Sequence, residues 1–154
     1  MRLFRLAKAR HEHTSLENES VGAQRAGGRW NSKGTAVVYS SCTIATAALE
    51  TLVRLDWDLA PAFVLLAIDV PGNLEMDVID QRALPRNWMD FPAPGTLAGI
   101  GDEWVKQGHA LMLEVPSVAS PYERNVLLNP AHPDAGRCSI TVLGPYPFDG
   151  RLEP

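Results

Sequence analysis

The sequence predicts an α+β fold: one compact domain with a mixed or antiparallel β core and a few helices. Short β-branched or alternating runs outnumber helical stretches, and neighbouring runs lie close enough to form hairpins. No internal repeat, low-complexity segment or linker divides the 154 residues, so residues 1–154 form a single domain. A chain of this length buries roughly 70% of the surface it exposes when unfolded.

In chain order, "MRLFRL" alternates as a first strand, and residues 7 to 34 are polar and glycine-rich and read as loop. "TAVVYS" is a strand by its β-branched content. Ser41 or Thr43 can cap the helix "IATAALETLVRLDW". In that helix Ile44, Ala47, Ala48, Thr51, Leu52 and Leu55 share one face. Leu49 and Val53 form a second apolar patch behind it, which predicts cover on more than one side. "AFVLLAIDV", between Pro61 and Pro71, reads as a buried strand, and "LEMDVI" alternates. Residues 84 to 101 are rich in proline and glycine and read as an ordered loop. "DEWVKQG" has a short helix's acidic first turn and terminal glycine. "ALMLEV", "NVLLN" and "SITVL" are further strands.

Composition narrows the function classes. Hydrophobic residues make up 45% and charged residues 21%, ordinary for a globular protein. No apolar run of about 18 residues exists to span a membrane, and "MRLFRLAKARHEH" lacks the apolar core of a secretory signal. Cys42 and Cys138 show neither metal spacing nor a disulfide framework, and read as reduced thiols of a cytoplasmic protein. The net charge of −4 argues against general nucleic-acid binding. It is unevenly spread: residues 1–34 hold seven Lys/Arg against three Glu, a balance of +4, and the other 120 residues carry −8. A basic segment on an acidic body either solvates the protein or receives a small phosphate-bearing ligand.

Phosphate-loop, dinucleotide-fold and serine-hydrolase motifs are absent from the sequence. His11 and His13 of "HEH" share a face only in a strand, and neither they nor "HPD" at 132–134 suggest a full ligand set, so no metal site is expected. Cys42 stands where a helix starts, yet reads as simply buried. Four residues remain. Arg29 follows two glycines and offers a planar fork for phosphate, or else pairs with a carboxylate. Tyr39 ends a strand, where its ring either stacks on a flat group or fills the sheet. Glu50 either pairs with Arg54 four residues on or lines a pocket and bonds a sugar hydroxyl. Ser117 follows a proline at a strand end, where serines usually satisfy local backbone groups.

The order of the patterns adds to this. "FRL", "GGRWNSKGTAVVYSS", "ALETLVR", "GDEW", "LEVPSV", "ERNVLLNPAHPDA" and "PFDGRL" resemble, in order and spacing, the RES domain family. The resemblance runs from about Leu3 to Leu152 and is most specific in the "GGRWN" and "PS…NPAHP" segments. It places the family arginine on Arg29, the tyrosine on Tyr39, the glutamate on Glu50 and the serine on Ser117, with Ser120 a second serine close by. It implies a fold similar to bacterial ADP-ribosyltransferase toxins and the toxin role of a type II toxin–antitoxin pair. The partner it implies is an Xre-type helix-turn-helix antitoxin, through which alone DNA would be met. It further implies consumption of NAD+ as substrate, by phosphorolysis, hydrolysis or transfer of ADP-ribose to a protein, with no cofactor required. A catalytically inactive nucleotide-binding protein is the alternative from another class.

The chemistry fits those residues. Breaking the nicotinamide–ribose bond develops positive charge on the ribose, as in glycoside hydrolysis. A carboxylate there stabilises the transition state more than the ground state. Glu50 is expected to supply it and to orient the 2′-hydroxyl. Arg29 is expected at the phosphate and ribose end, and Tyr39 against the nicotinamide. Ser117 would position Arg29 or the ribose, and Asn31 with its glycine neighbours would let the loop pack over NAD+.

Overall fold

Seven strands form one sheet in the order β4-β5-β6-β2-β1-β3-β7 in a computed structural model that describes every residue but His11. The strands are β1 (Arg2–Lys8), β2 (Val38–Ser41), β3 (Phe63–Asp69), β4 (Met76–Val78), β5 (Met112–Pro116), β6 (Arg124–Leu128) and β7 (Ser139–Pro145). Three helices accompany them: α1 (Leu16–Ala26), α2 (Ile44–Leu52) and α3 (Gly95–Gln107). The β4–β5 pair is parallel and the other pairs are antiparallel, so the sheet is mixed as expected. No helix is long and apolar enough to cross a membrane among the described residues.

β5 and β6 are buried on both faces, and their alternation divides the core in two. Met112, Val126 and Leu128 join Leu3, Leu16, Val38 and Ile68 in one cluster. Leu113, Val115 and Leu127 join Trp30, Trp88, Leu97 and Trp104 in the other, which holds the 27–41 segment against α3. β1 pairs with β3 along its whole length, yet meets β2 at a single position, Phe4 opposite Ser41. The two halves of the sheet therefore splay apart beyond that point.

Three expectations change. The stretch from 7 to 34, read as loop, contains α1, whose Ser15 caps Asn18 and whose Gly27 terminates it at φ 72°. This helix docks through Leu16 and two buried polar residues, Glu19 and Ser20, and so shows little apolar periodicity. The stretch from 84 to 101, also read as loop, contains the start of α3 at Gly95. Helix α2 is shorter than predicted and is not covered all round: Val53, just past its end, is 60% exposed, and Ile44 is exposed too. The chain leaves the helix where Asp56 offers its carboxylate to the Asp58 N–H, a local alternative to helical bonding.

The glycine at 101 explains why α3 was hard to foresee. A Cβ there would overlap the Trp30 carbonyl, a backbone group that cannot rotate away, whereas Gly99 faces open space. Gly101→Ala should therefore cost about 3 kcal/mol or more, at the upper end of overpacking. Gly99→Ala should stabilise by up to about 1 kcal/mol through helix propensity. Denaturant unfolding of the two variants checks this; equal midpoints would mean that α3 does not pack on Trp30 this way.

Candidate active site

The splay between β1 and β2 opens as a cleft of about 960 Å³. Consecutive residues Phe4–Lys8 and Tyr39–Ser41 line it, so it takes side chains from both faces of the strands, as a gap between strands must. α1 contributes Asn18, Glu19 and Arg25 to one wall, and α2 contributes Ala47, Glu50 and Thr51 to the other. Within it lie Lys8, Arg10, Arg25 and Arg54. Two other arginines of the basic N-terminal segment are already paired: Arg2 with Asp69 at 2.7 Å and, within the cleft lining, Arg5 with Glu19 at 3.0 Å.

Glu50 is held by two neutral donors. The Ser117 hydroxyl donates to its Oε1 at 2.7 Å and the Asn125 amide donates to the same oxygen at 2.6 Å. Ser117 is fully buried, and its Oγ also accepts the Ser120 N–H at 3.0 Å, which fixes the direction of the hydroxyl. Asn125 is fixed in turn by accepting from the Ser41 hydroxyl at 2.7 Å. Both donors are neutral, so they orient the carboxylate without pairing it with a cation, the arrangement electrostatic catalysis needs. Arg54 does not pair with the carboxylate; its Nε donates to the backbone carbonyl of Glu50 at 3.2 Å.

Tyr39 is clamped into the loop that precedes it. Its hydroxyl donates to Asn31 Oδ1 at 2.7 Å and accepts the Trp30 N–H at 3.0 Å. Gly28 is required here, because a Cβ would come within 2.6 Å of that hydroxyl. Asn31 is 1% exposed, and its amide donates to the carbonyls of Ala23 and Thr35 at 2.9 and 3.0 Å. Expected to contact substrate, Asn31 instead has its polar atoms committed to the loop, because the turn buries backbone carbonyls that need a donor.

Burial pushes the Tyr39 phenol up from its ordinary 10.0 to about 12, so it is a neutral donor throughout the physiological range. The folded state thus favours the protonated ring. The resulting stability is complete below pH 10 and is lost as pH rises from about 10 through about 12. Over that window the wild type should lose about 2–3 kcal/mol more unfolding free energy than Tyr39→Phe. Parallel pH profiles of the two proteins would show the hydroxyl to be exposed.

Arg29 is placed differently from the other three. Its Nη1 donates to the Trp88 carbonyl at 2.6 Å and its Nη2 to the Asp90 carbonyl at 3.1 Å, and among the described residues it pairs with no carboxylate. Partial burial pushes its guanidinium down, while the charges of Glu50, Tyr39 and Asp90 act the other way.

This constellation can be set beside known proteins. The RES domain family matches residues 2–149. The chain belongs to that family. It is 39% identical to "Toxin Res" of Photorhabdus laumondii over 99% of this chain and 97% of that protein. It is 34% identical to "Prs ADP-ribosylating toxin" of a Sphingobium species, over 97% of this chain and 94% of that protein. Its fold is that of a chain in the solved M. tuberculosis MbcT–MbcA toxin–antitoxin complex, at a TM-score of 0.68 and 17% identity. That match covers 93% of this chain and 84% of the solved one.

In this RES domain, Ser117 rather than Ser120 carries the hydroxyl that reaches Glu50. The sequence reading passed over Asn125, although a polar residue opening the apolar strand "NVLLN" was a usable signal. It also passed over Arg5 and Glu19. Cys42, expected to be buried, is exposed, and its thiol is pushed up by partial burial and by Glu114 and Glu123. It is not an activated thiolate. Of the "HEH" segment, His11 lies outside the described residues; among those described, no group of three His, Cys, Asp or Glu is arranged to hold a metal.

Proposed function

We propose that this RES domain cleaves NAD+ at the nicotinamide–ribose bond and acts as the toxin of a toxin–antitoxin pair. The observation that carries this reading is the Glu50 carboxylate, oriented by Ser117 and Asn125 at the wall of a cleft of dinucleotide size. In the reaction, the C1′–N bond breaks and its electron pair leaves on the nicotinamide nitrogen, which becomes neutral. The positive charge that grows on the ribose is met by Glu50, and an oxygen of phosphate or water then bonds to C1′, water releasing one proton to solvent as it does so. Arg29 and the cleft cations Lys8, Arg10 and Arg25 supply the charge a pyrophosphate needs. Transfer of ADP-ribose to a protein is the second reading, favoured by the Sphingobium relative's name. Incubation of the purified protein with NAD+, with and without phosphate, followed by product analysis, tests both. Intact NAD+ together with no labelled protein would leave a nucleotide-binding protein without catalysis.

The partner proposed is an Xre-type antitoxin, as the family resemblance implies; the solved structural neighbour is itself a toxin–antitoxin complex. The steric route to inhibition is an antitoxin segment lying in the cleft, with carboxylates facing Lys8, Arg10 and Arg25. An antitoxin lacking its last few residues should still bind but no longer protect cells that express the toxin. Full protection by the truncated form, with NAD+ still entering the complex, would place inhibition elsewhere.

A further inference from the structure

One buried polar network has no part in the chemistry above, yet touches it. Arg5, on β1, donates from Nε to Glu19 Oε2 at 3.0 Å and from Nη1 to the backbone carbonyl of Tyr39 at 3.0 Å. His13 Nδ1 and Glu19 Oε1 share a hydrogen bond of 2.6 Å. The side chains of Glu19 and His13 are 4% and 6% exposed. Each carboxylate oxygen thus has its own partner: an arginine on one and an imidazole on the other. Among the described residues His13 Nε2 is buried without a hydrogen-bond partner, so the bond to Glu19 is the polar contact described for the ring.

The location gives this network a task. β1 and β2 are joined by strand pairing at Phe4 and Ser41, and two residues further along β2 the Tyr39 carbonyl is met by the Arg5 guanidinium instead. Arg5 therefore bridges the splay where the sheet ladder has ended. Through Glu19 it also anchors α1, which lines the same cleft as Glu50. A change at any member would alter the width of the cleft without touching the contacts of Glu50 with Ser117 and Asn125.

We propose that Arg5, Glu19 and His13 are positioning residues that set the span between α1 and Tyr39, and with it the seat of the substrate. The proposal rests on the NAD+ reading for its kinetic test, and has a second test that does not. Arg5→Met alone strands a buried carboxylate and is at risk of unfolding, so the informative protein is the double variant Arg5→Met with Glu19→Gln. It should remain folded, bind NAD+ about tenfold more weakly, and keep turnover at saturating NAD+ within about threefold of wild type. His13→Asn, whose amide can replace the ring Nδ1, should retain affinity, and His13→Leu should lose it. Amide exchange, read without substrate, should accelerate at residues 16–26 and 38–41 and stay unchanged at 44–52. Wild-type exchange rates in a folded double variant would overturn the proposal whatever NAD+ does. A joint fall in affinity and turnover, with exchange raised throughout, would make the network a general stabiliser. Should the wild type leave NAD+ untouched, the functional reading fails and the exchange result still decides this one.

Discussion

Glu50→Gln should lower the rate of nicotinamide release by about 10²- to 10³-fold, the size expected when an electrostatic stabiliser of the transition state is removed. The substitution suits the site. Both donors to the carboxylate converge on one oxygen, Oε1. A glutamine amide oxygen in that place keeps both bonds, while its NH₂ takes the position of Oε2, which accepts no hydrogen bond among the described residues. Shape and helix propensity are nearly preserved, so the experiment removes the charge, together with the Oε2 acceptor, while sparing the fold. The loss should fall on turnover at saturating NAD+, with unfolding midpoints alike, since the interaction matters most once the ribose is cationic. A variant that turns over at nearly the wild-type rate would reduce Glu50 to a polar partner that holds Ser117 and Asn125 in place.

What was legible in the sequence follows from which contacts leave a local imprint. β1, β3, β5 and β6 were readable because alternation or an apolar run records burial directly, and β7 by its β-branched run although most of it is exposed. α1 was hidden because its buried face includes Glu19 and Ser20, residues that normally signal solvent. Its caps, Ser15 and Gly27, were present but had no apolar stripe between them to frame. The first turns of α3 were hidden because glycine reads as a breaker, whereas Gly101 is required where the helix meets Trp30. In the site, residue types suggested roles for Arg29, Tyr39, Glu50 and Ser117 but not their partners. The bond from Ser117 to Glu50 spans 67 residues, and the acceptors of Arg29 are backbone carbonyls, which carry no residue identity at all. Pairing of that kind is set by the register of β2, β5 and β6, and register is what a single sequence states least clearly.

Arg29→Lys should weaken NAD+ binding by about tenfold or more, a loss of about 1.4 kcal/mol or more. Two of the five guanidinium N–H groups are used by the carbonyls of Trp88 and Asp90, which leaves three on a planar frame already fixed in direction. A lysine ammonium that keeps one carbonyl bond has no second arm held at a set angle, so it offers charge without the fork. The 88–90 turn should nonetheless stay close to its place, because the Trp88 indole is buried in the cluster with Trp30 and Trp104 and the Trp88 backbone N–H donates to the Pro85 carbonyl at 3.0 Å. That independent anchor lets the two roles of Arg29 be separated by one variant. Titration with NAD+ reads the ligand role, and amide exchange over residues 86–91 reads the loop role. Weakened binding with nearly unchanged exchange assigns the guanidinium to the phosphate and ribose end of the substrate. Unchanged affinity beside faster exchange would make Arg29 a tie between the glycine-rich turn and the 88–90 carbonyls, and would move the phosphate role to Lys8, Arg10 and Arg25.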